Sequence, residues 1–394
     1  YVCKNIMLEE HKMNKFEENM NAAWEKYQSE KKNELYPNIM LLGISGAGKS
    51  SLINAIFKRD LAKVSNVKPE TKGYGKIYYG KQYGLSVNLI DTAGYEMNQG
   101  NDYYESVKPI LENGIENEHS GENEKIHIIW YCISVANERV EDMDIKILRD
   151  ICNNAQIRNR VCVVFTKCDL DTEDGEKAAI LKKILRDKVC DDLYCFETCN
   201  DAELELDIPK LIKWSANQID DKDLREKFVA SQMHDLKAKR KQANEAIATA
   251  VTAAGAAAAI PIPFSDAAIL VPIQVAMVAK IIDLYGVSDL AAISKGLIGD
   301  IVISQIGKSI SASILKMIPI VGQIVGSVVN AGVAASITGI LGTAISAICY
   351  VNVKKYMNGE SIDWTMAFSA EMVEKAMKAA KENASRSEER RVGI

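Results

Sequence analysis

The sequence has few of the residues that build zinc centres or disulfide frameworks. Its four histidines are scattered along the chain, and its nine cysteines include no C-x-x-C pair. Several cysteines lie inside apolar runs, as Cys162 does between Val161 and Val163. We therefore interpret the cysteines as reduced thiols of a cytoplasmic chain, and the pattern argues against a zinc site.

The chain also lacks an excess of positive charge. Acidic residues outnumber basic ones by 53 to 48, which gives a net charge of −5 and a pI near 5.7. This argues against a protein that binds nucleic acid through bulk positive charge, so we do not expect nucleic acid as a partner. Hydrophobic residues at 47% and charged residues at 26% are typical of globular proteins. The 394 residues suffice for two or three domains of about 150 residues each.

Charge is nearly absent from a long C-terminal stretch, and this divides the chain. Only eight acidic or basic residues occur between positions 248 and 352, and none between Met317 and Val353. Alanine, glycine, isoleucine and valine dominate there, which predicts a hydrophobic all-helical domain. We expect the helix near the C-terminus to begin at Ser361 as its N-cap. The predicted segments are a helical N-terminal extension at 1–36, an α/β domain at 37–218, a charged helical connector at 219–247, the hydrophobic helical domain at 248–353, an amphipathic helix within 354–384 and a disordered tail at 385–394.

The α/β domain is predicted from five apolar runs of strand length. They are separated by polar stretches that have the length and periodicity of helices, and this alternation indicates a mostly parallel sheet flanked by helices. The runs are Ile39–Leu42, Leu85–Ile90, Ile126–Ile133, Val161–Phe165 and Leu193–Phe196.

Residues 43–50 fit the phosphate-loop pattern G-x-x-x-x-G-K-[ST]. The motif follows the first predicted strand and opens a predicted helix, Ser51–Phe57, which is the context that it requires. Its glycines let backbone amides turn toward phosphate oxygens at the positive end of a helix dipole. We expect Lys49 to bridge the β- and γ-phosphates and Ser50 to bind Mg²⁺. The predicted nucleotide-binding residues of this loop are Gly43, Ser45, Gly46, Ala47, Gly48, Lys49, Ser50 and Ser51.

Two further motifs indicate a guanine nucleotide. Asp91-Thr92-Ala93-Gly94 follows a predicted strand, so the Asp91 carboxylate emerges where α/β proteins bind ligands. We expect Asp91 to hold Mg²⁺ through water and the Gly94 amide to sense the γ-phosphate. Thr166-Lys167-Cys168-Asp169 follows another strand. Asp169 can accept two N–H hydrogens that guanine offers and adenine does not, and the Lys167 stem is expected to pack over the base.

In the order and spacing of these motifs, residues 38–218 resemble the translation-factor-related GTPases, particularly the Era-like group. The resemblance implies that the chain binds GTP or GDP with Mg²⁺ and hydrolyses GTP. It also implies that Thr71 is the switch I threonine that closes on Mg²⁺ and the γ-phosphate. Thr198 and Cys199 resemble the fifth motif, which backs the base, and Thr166 stands where asparagine is commoner. By this resemblance the catalytic residues are Lys49, Thr71 and Gly94, and the metal-binding residues are Ser50, Thr71 and Asp91.

The motif around Gly94 departs from the Ras-like pattern. Tyr95 stands where Ras-like enzymes have the glutamine that orients the attacking water. Arg139 follows a predicted strand, but we interpret it as a surface residue rather than a catalytic arginine. We therefore expect slow intrinsic hydrolysis that a protein partner or self-dimerisation accelerates.

Residues 245–353 resemble the YcjF-type hydrophobic helical domain, whose biochemical role is unknown. The segments that carry this resemblance are Ile260–Asp266, Val271–Met277, Ile318–Gly322 and Ala331–Ala335. The family transfers no catalytic residue to this chain.

The hydrophobic domain has the length and flanking charge of a membrane-associated region. Residues 317–353 form an uncharged stretch of 37 residues, and a membrane span needs about 20. Gly322 and Gly326 form a G-x-x-x-G pair. A basic cluster precedes the domain, as is expected beside anionic lipid, but polar residues within the stretch and its many small residues also suit a soluble bundle. We expect peripheral or integral membrane association through 248–353. The cluster consists of Lys237, Lys239, Arg240 and Lys241.

Three functions remain open at this point. The first is a GTP-hydrolysing switch that controls membrane or partner engagement by the helical domain. The second is an Era-like RNA- or ribosome-associated GTPase, although the candidate RNA-binding loop, Gly296–Gly299, is apolar inside. The third is a dynamin-like membrane remodeller in which the charged helices at 1–36 and 219–247 form a stalk. An ATP-using enzyme would require the Asp169 motif to be coincidental.

Overall fold

The fold is taken from a computed structural model and divides into two units. The sheet unit is Leu35–Asp235, and the helical unit combines Tyr1–Glu34 with Leu236–Ile394. The residues that the structure describes are 14, 17–27, 29, 35–57, 76–83, 85–92, 94, 100–116, 123–171, 175–199, 204, 206–258, 266–288, 297–299, 301–302 and 331–392.

Strands of the sheet unit form a six-stranded sheet and a small hairpin. Every neighbouring pair in the sheet is parallel except the first two strands, β2 and β3. In spatial order the strands are β2 (Lys76–Tyr78), β3 (Asn88–Asp91), β1 (Asn38–Leu42), β6 (Ile128–Ser134), β7 (Val161–Thr166) and β8 (Cys195–Glu197). Each of the five predicted apolar runs overlaps a strand, so the mostly parallel α/β fold is confirmed. The hairpin consists of β4 (Ile115–Glu116) and β5 (Asn123–Glu124).

Helices of the sheet unit cover a sheet whose central strands are wholly buried. Every residue of β1, β6 and β7 is buried, which is why these strands are continuous apolar runs rather than alternating ones. The fourth helix begins with a capping box between Glu141 and Asp144. The helices are α1 (Lys49–Phe57), α2 (Gly80–Tyr83), α3 (Gly100–Asn113), α4 (Asp142–Asn153), α5 (Glu176–Lys188), α6 (Ile208–Gln218) and α7 (Lys222–Ser231).

Buried polar side chains join β1 and β3 to the residue that precedes β6. The Asn88 amide donates to the Asn38 side-chain oxygen at 2.9 Å, and the Asn38 backbone N–H donates to His127 Nδ1 at 3.0 Å. Because Nδ1 accepts this bond, the ring is neutral and carries its proton on Nε2. Burial lowers the pKa of His127 from 6.5 to about 4.

This pKa shift predicts that the folded protein becomes less stable as the pH falls. The unfolded chain protonates His127 near pH 6.5 and the folded chain only near pH 4. The stabilisation is therefore complete above pH 6.5 and is lost progressively as the pH falls toward 4, by about 3 kcal/mol in total. We expect the free energy of unfolding in urea to drop more between pH 7 and pH 5 for the wild type than for His127→Gln. Equal drops in the two proteins would contradict this account.

The helical unit packs small residues at close range. Its helix Ala331–Met357 contacts the helices Leu236–Ala258, Asp266–Leu284 and Ala370–Val392. A Cβ added at Gly342 would lie 2.7 Å from Ile247 Cγ1 and 2.9 Å from Met277 Sδ, so glycine permits this approach. Buried hydroxyls add polar bonds, such as the 2.9 Å contact between Tyr285 and Ser346. The helices are α8 (Leu236–Ala258), α9 (Asp266–Leu284), α10 (Ala331–Met357), α11 (Trp364–Ala367) and α12 (Ala370–Val392).

Within the described residues, one helical segment is long and apolar enough to cross a membrane. It is Gly332–Met357, with a mean hydropathy of 1.8. Its most apolar window is 56% buried by the rest of the chain, a property that core helices of soluble bundles share. Two segments of the YcjF-type resemblance, Val271–Met277 and Ala331–Ala335, lie in α9 and α10. The segments at 260–265 and 318–322 and the pair Gly322 and Gly326 lie outside the described residues.

The predicted connector at 219–247 is divided between the two units. Its first part, α7 and residues 232–235, belongs to the sheet unit, where the Met233 N–H donates to the Ile56 carbonyl at the end of α1. Its second part is the start of α8. The expectation of a single basic surface cluster there is wrong, because Lys239 is fully buried and donates to the Leu284 carbonyl at 3.3 Å. Lys237, Arg240 and Lys241 are exposed.

Both ends of the chain differ in detail from expectation. The helical N-terminal residues 17–27 group with the helical unit. The N-cap near the C-terminus is Asp363 rather than Ser361, since the Asp363 carboxylate accepts the Met366 N–H at 3.0 Å. The next helix, α12 (Ala370–Val392), continues through the segment expected to be disordered. Glutamate and arginine favour helix there.

Candidate nucleotide-binding site

Glycines shape the loop between β1 and α1. Gly43 and Gly48 have φ angles of 130° and 81°, in the left-handed region that favours glycine. A Cβ at Gly43 would lie 2.2 Å from the Cys132 carbonyl oxygen on the neighbouring β6. The loop can therefore follow the sheet edge closely and present its amides at the N-terminus of α1. Of the predicted residues, Gly43 and Ala47 are buried, while Ser45, Gly46 and Ser51 are exposed.

Lys49 lies buried at the start of α1 and points back into this loop. Its ammonium donates to the carbonyl oxygens of Gly43 at 3.0 Å and Ile44 at 3.1 Å. Burial lowers the pKa of Lys49, and the Asp91 carboxylate partly offsets that effect. The loop thus holds a cation at the place where the motif requires one.

Ser50 and Asp91 meet although they are 41 residues apart. The Ser50 hydroxyl donates to Asp91 Oδ2 at 3.0 Å. The contact follows from the topology, because β1 and β3 are parallel neighbours and Leu41 is paired with Asp91. A hydroxyl and a carboxylate are hard oxygen donors, so this pair suits Mg²⁺.

Gly94 lies directly against the phosphate loop. A Cβ at Gly94 would lie 2.7 Å from Lys49 Nζ and 2.8 Å from the Ser45 nitrogen. The structure thus brings the third motif together with the first. Thr71 lies outside the described residues, as does Tyr95.

The fourth motif, Thr166–Asp169, is hydrogen-bonded to the phosphate loop. The Thr166 hydroxyl donates to the Ala47 carbonyl at 2.7 Å, and Lys167 Nζ donates to the Gly46 carbonyl at 3.0 Å. Asp169 is exposed in the short 3₁₀ turn Cys168–Leu170. Thr166 stands where asparagine is commoner, and here the threonine hydroxyl makes the hydrogen bond to the phosphate loop.

The fifth motif packs beneath the fourth. The Thr198 hydroxyl donates to the Phe165 carbonyl at 2.9 Å, and the Thr198 carbonyl accepts the Cys168 N–H at 3.1 Å. Cys199 is buried and its thiol contacts the Leu204 carbonyl at 3.2 Å. These contacts position the loop that carries Asp169.

Sequence reasoning missed one member of the site, Tyr103 on α3. Its hydroxyl is buried 2.8 Å from the Thr92 hydroxyl, and it also hydrogen-bonds the backbone of Gly43. It lies in the polar stretch Gly100–Ser106, which carries no recognisable motif. Arg139 bonds Glu141 at 2.6 Å and is largely exposed, as its interpretation as a surface residue implies.

The sheet order and these converging loops define a P-loop GTPase domain. A family model described as a 50S ribosome-binding GTPase matches residues 38–167. By its fold and by this match, the sheet unit contains a P-loop GTPase domain. The resemblance to P-loop GTPases is confirmed at this level, while the Era-like and YcjF-type assignments stay predictions.

Particular relatives resemble parts of the chain. GTPase Der of Porphyromonas gingivalis is 30% identical over 152 residues, which cover 38% of this chain and 31% of that protein. Dynamin-like protein 1 of Campylobacter jejuni is 43% identical over 86 residues, or 22% of this chain and 11% of that protein. Magnetosome membrane protein 22 of Magnetospirillum gryphiswaldense is 34% identical over 116 residues, or 28% and 56%. The chain thus matches less than two thirds of the length of each.

Proposed function

We propose that this chain is a Mg²⁺-dependent GTPase that acts as a nucleotide switch and controls membrane engagement by its helical region at 248–353. The observation that carries the proposal is the convergence of two separate segments, the phosphate loop and the loop after β3, on one point. Lys49, Ser50 and Gly94 lie together there, with Asp91 bonded to Ser50 at 3.0 Å. A site of this kind responds to the γ-phosphate, because its parts come from segments that can move independently.

Ser50, Asp91 and Thr71 are the residues proposed to hold Mg²⁺. The metal would neutralise charge on the β- and γ-phosphates. Lys49 would bind the same phosphates, and the Gly94 amide would donate to the γ-phosphate. Asp169 and Lys167 would recognise guanine, with Thr198 and Cys199 behind the base.

Slow intrinsic turnover is part of this proposal. Arg139, the arginine considered from the sequence, is bonded to Glu141 and sits on the surface. We expect turnover of the purified protein below about 1 s⁻¹, with acceleration by a protein partner or by self-dimerisation.

Three features support a membrane as the target of the switch. The segment Gly332–Met357 has the length and hydropathy of a span. Apolar side chains are exposed on the helical unit, including Val351 at 50% and Met366 at 64%. The exposed cations near the start of α8 would favour anionic lipid. Two relatives, a magnetosome membrane protein and a dynamin-like protein, have names that point the same way.

Flotation of the full chain with anionic liposomes tests this proposal. We expect flotation with a non-hydrolysable GTP analogue and much less with GDP. Val351→Glu places a charge on the apolar helix and should abolish flotation. Ile180→Glu, at a similarly exposed position on α5 of the sheet unit, is the matched control and should leave it unchanged. No flotation with either nucleotide, or equal loss in both variants, would overturn the membrane assignment.

Two other roles have specific observations behind them. The description of the matching family model names ribosome binding, which keeps a ribosome-associated GTPase as an alternative. Co-sedimentation with 50S subunits in the GTP state would favour it. The grouping of Tyr1–Glu34 with the C-terminal helices and the dynamin-like relative favour a membrane remodeller. That role predicts that liposomes stimulate GTP hydrolysis and become tubular.

A further inference from the structure

The Tyr103 hydroxyl lies beneath the phosphate site. Tyr103 is in the first turn of α3, the helix that follows the segment after Gly94, and only 6% of it is exposed. Its oxygen is 2.8 Å from Thr92 Oγ1 and also hydrogen-bonds the backbone of Gly43. Burial raises the pKa of Tyr103 well above its usual value, so the hydroxyl keeps its proton.

The directions of these hydrogen bonds follow from the number of protons. The Thr92 hydroxyl has one proton and donates it to the Leu41 carbonyl at 2.7 Å. Thr92 Oγ1 is therefore an acceptor toward Tyr103, and Tyr103 donates. The Tyr103 oxygen accepts a hydrogen bond from the Gly43 N–H. The Tyr103 hydroxyl thus donates a hydrogen bond to the segment after β3 and accepts one from the phosphate loop.

Of these two partners, Gly43 is hydrogen-bonded to a residue of the phosphate site, and Thr92 is next to one in the sequence. The Gly43 carbonyl accepts the Lys49 ammonium at 3.0 Å. Thr92 follows Asp91, whose carboxylate accepts the Ser50 hydroxyl. A single buried hydroxyl therefore connects the Lys49 side of the site to its Asp91 side.

We propose that Tyr103 is a positioning residue that sets the spacing between the phosphate loop and the Asp91 strand and so controls how long the nucleotide is retained. The proposal rests on GTP binding at this site. Without the hydroxyl, the Gly43 amide and the Thr92 oxygen each lose a partner in a buried place, where water replaces it poorly. The two loops can then separate, and the bound phosphates lose their fixed donors.

Tyr104 provides a matched control on the same helix. It is also 6% exposed, but its hydroxyl bonds the Asp150 carboxylate on α4, away from the phosphate loop. Tyr103→Phe and Tyr104→Phe are therefore the same chemical change in neighbouring residues that expose the same fraction of their surface. A purely structural role would give the two variants similar behaviour at the nucleotide site.

The experiment measures the release rate of a fluorescent GDP from the full chain, together with the thermal midpoint of each variant. We expect Tyr103→Phe to release GDP at least about tenfold faster, because it removes two buried hydrogen bonds. Tyr104→Phe should release GDP at the wild-type rate. Equal rates in the wild type and Tyr103→Phe, or equal acceleration in both variants, would overturn the inference alone. If the wild type binds no GDP, the proposed function fails and this inference fails with it.

Substitution of Thr92 separates a positioning effect from general destabilisation. Thr92→Val removes the acceptor of the Tyr103 proton and should also accelerate release, whereas Thr92→Ser keeps the hydroxyl and should restore retention. Combining Tyr103→Phe with Thr92→Val should have less effect than the sum of the two changes, because both remove the bond between Tyr103 and Thr92. Full additivity of the two effects would contradict a shared role.

Discussion

Lys49→Met should reduce the affinity for GTP and GDP at least about a hundredfold, because it removes charge-assisted hydrogen bonds to phosphate. The substitution keeps an unbranched apolar stem and deletes only the charge. That ammonium is buried and donates to two neutral groups in the loop, the carbonyls of Gly43 and Ile44. Removing it relieves a desolvation cost, so we expect the variant to remain folded. Binding is measured with fluorescent nucleotides and folding by thermal denaturation.

The control for this prediction is Lys183→Met, at an exposed position on α5. It removes the same charge from the sheet unit without touching the loop and should bind GTP as the wild type does. A Lys49→Met protein that is folded and still binds GTP with near wild-type affinity would show that the phosphates are held elsewhere.

Asp169→Asn should change which base the protein accepts. The carboxylate can accept two guanine hydrogens, and an amide replaces one of those acceptors by a donor. Loss of a bidentate, charge-assisted pair should lower GTP affinity by at least about a hundredfold. The amide donor suits the second carbonyl of xanthine, so binding of xanthosine triphosphate should rise. ATP should gain nothing.

Competition between GTP, ATP and xanthosine triphosphate for a fluorescent nucleotide measures this change. Asp187→Asn is the matched control, since Asp187 is exposed on α5, and it should leave the preference for GTP intact. Retention of GTP selectivity in Asp169→Asn would remove Asp169 from base recognition.

The α/β domain was predictable because its signals are local. β1, β6 and β7 are buried on both faces and therefore appear in the sequence as continuous apolar runs. The glycines of the phosphate loop are required by backbone geometry, so the motif specifies the loop directly. β2 escaped prediction because Lys76–Tyr78 has three residues and no apolar run.

Other features depend on contacts that a linear pattern does not encode. Lys239 lies among basic residues in the sequence, a pattern that indicates an exposed side chain. In the structure α8 places it against the end of α9, where its ammonium donates a hydrogen bond to the Leu284 carbonyl. Tyr103 and Tyr104 are adjacent and chemically identical, and only the direction of each side chain from α3 assigns one of them to the phosphate site.

The bonds between Thr166 and Ala47 and between Lys167 and Gly46 join residues 119 and 121 positions apart. Contacts of such sequence separation tend to form late, because closing the long loop between their residues costs conformational entropy before the contact stabilises the chain. A nascent chain that ends before β7 contains the complete phosphate-loop motif but lacks the bonds that brace it. We therefore expect the chain to hold its nucleotide only after synthesis has passed Thr198, which orders the Asp169 turn. In that order of events the nucleotide would stabilise a domain whose sheet is already complete and would not guide the early steps of its folding.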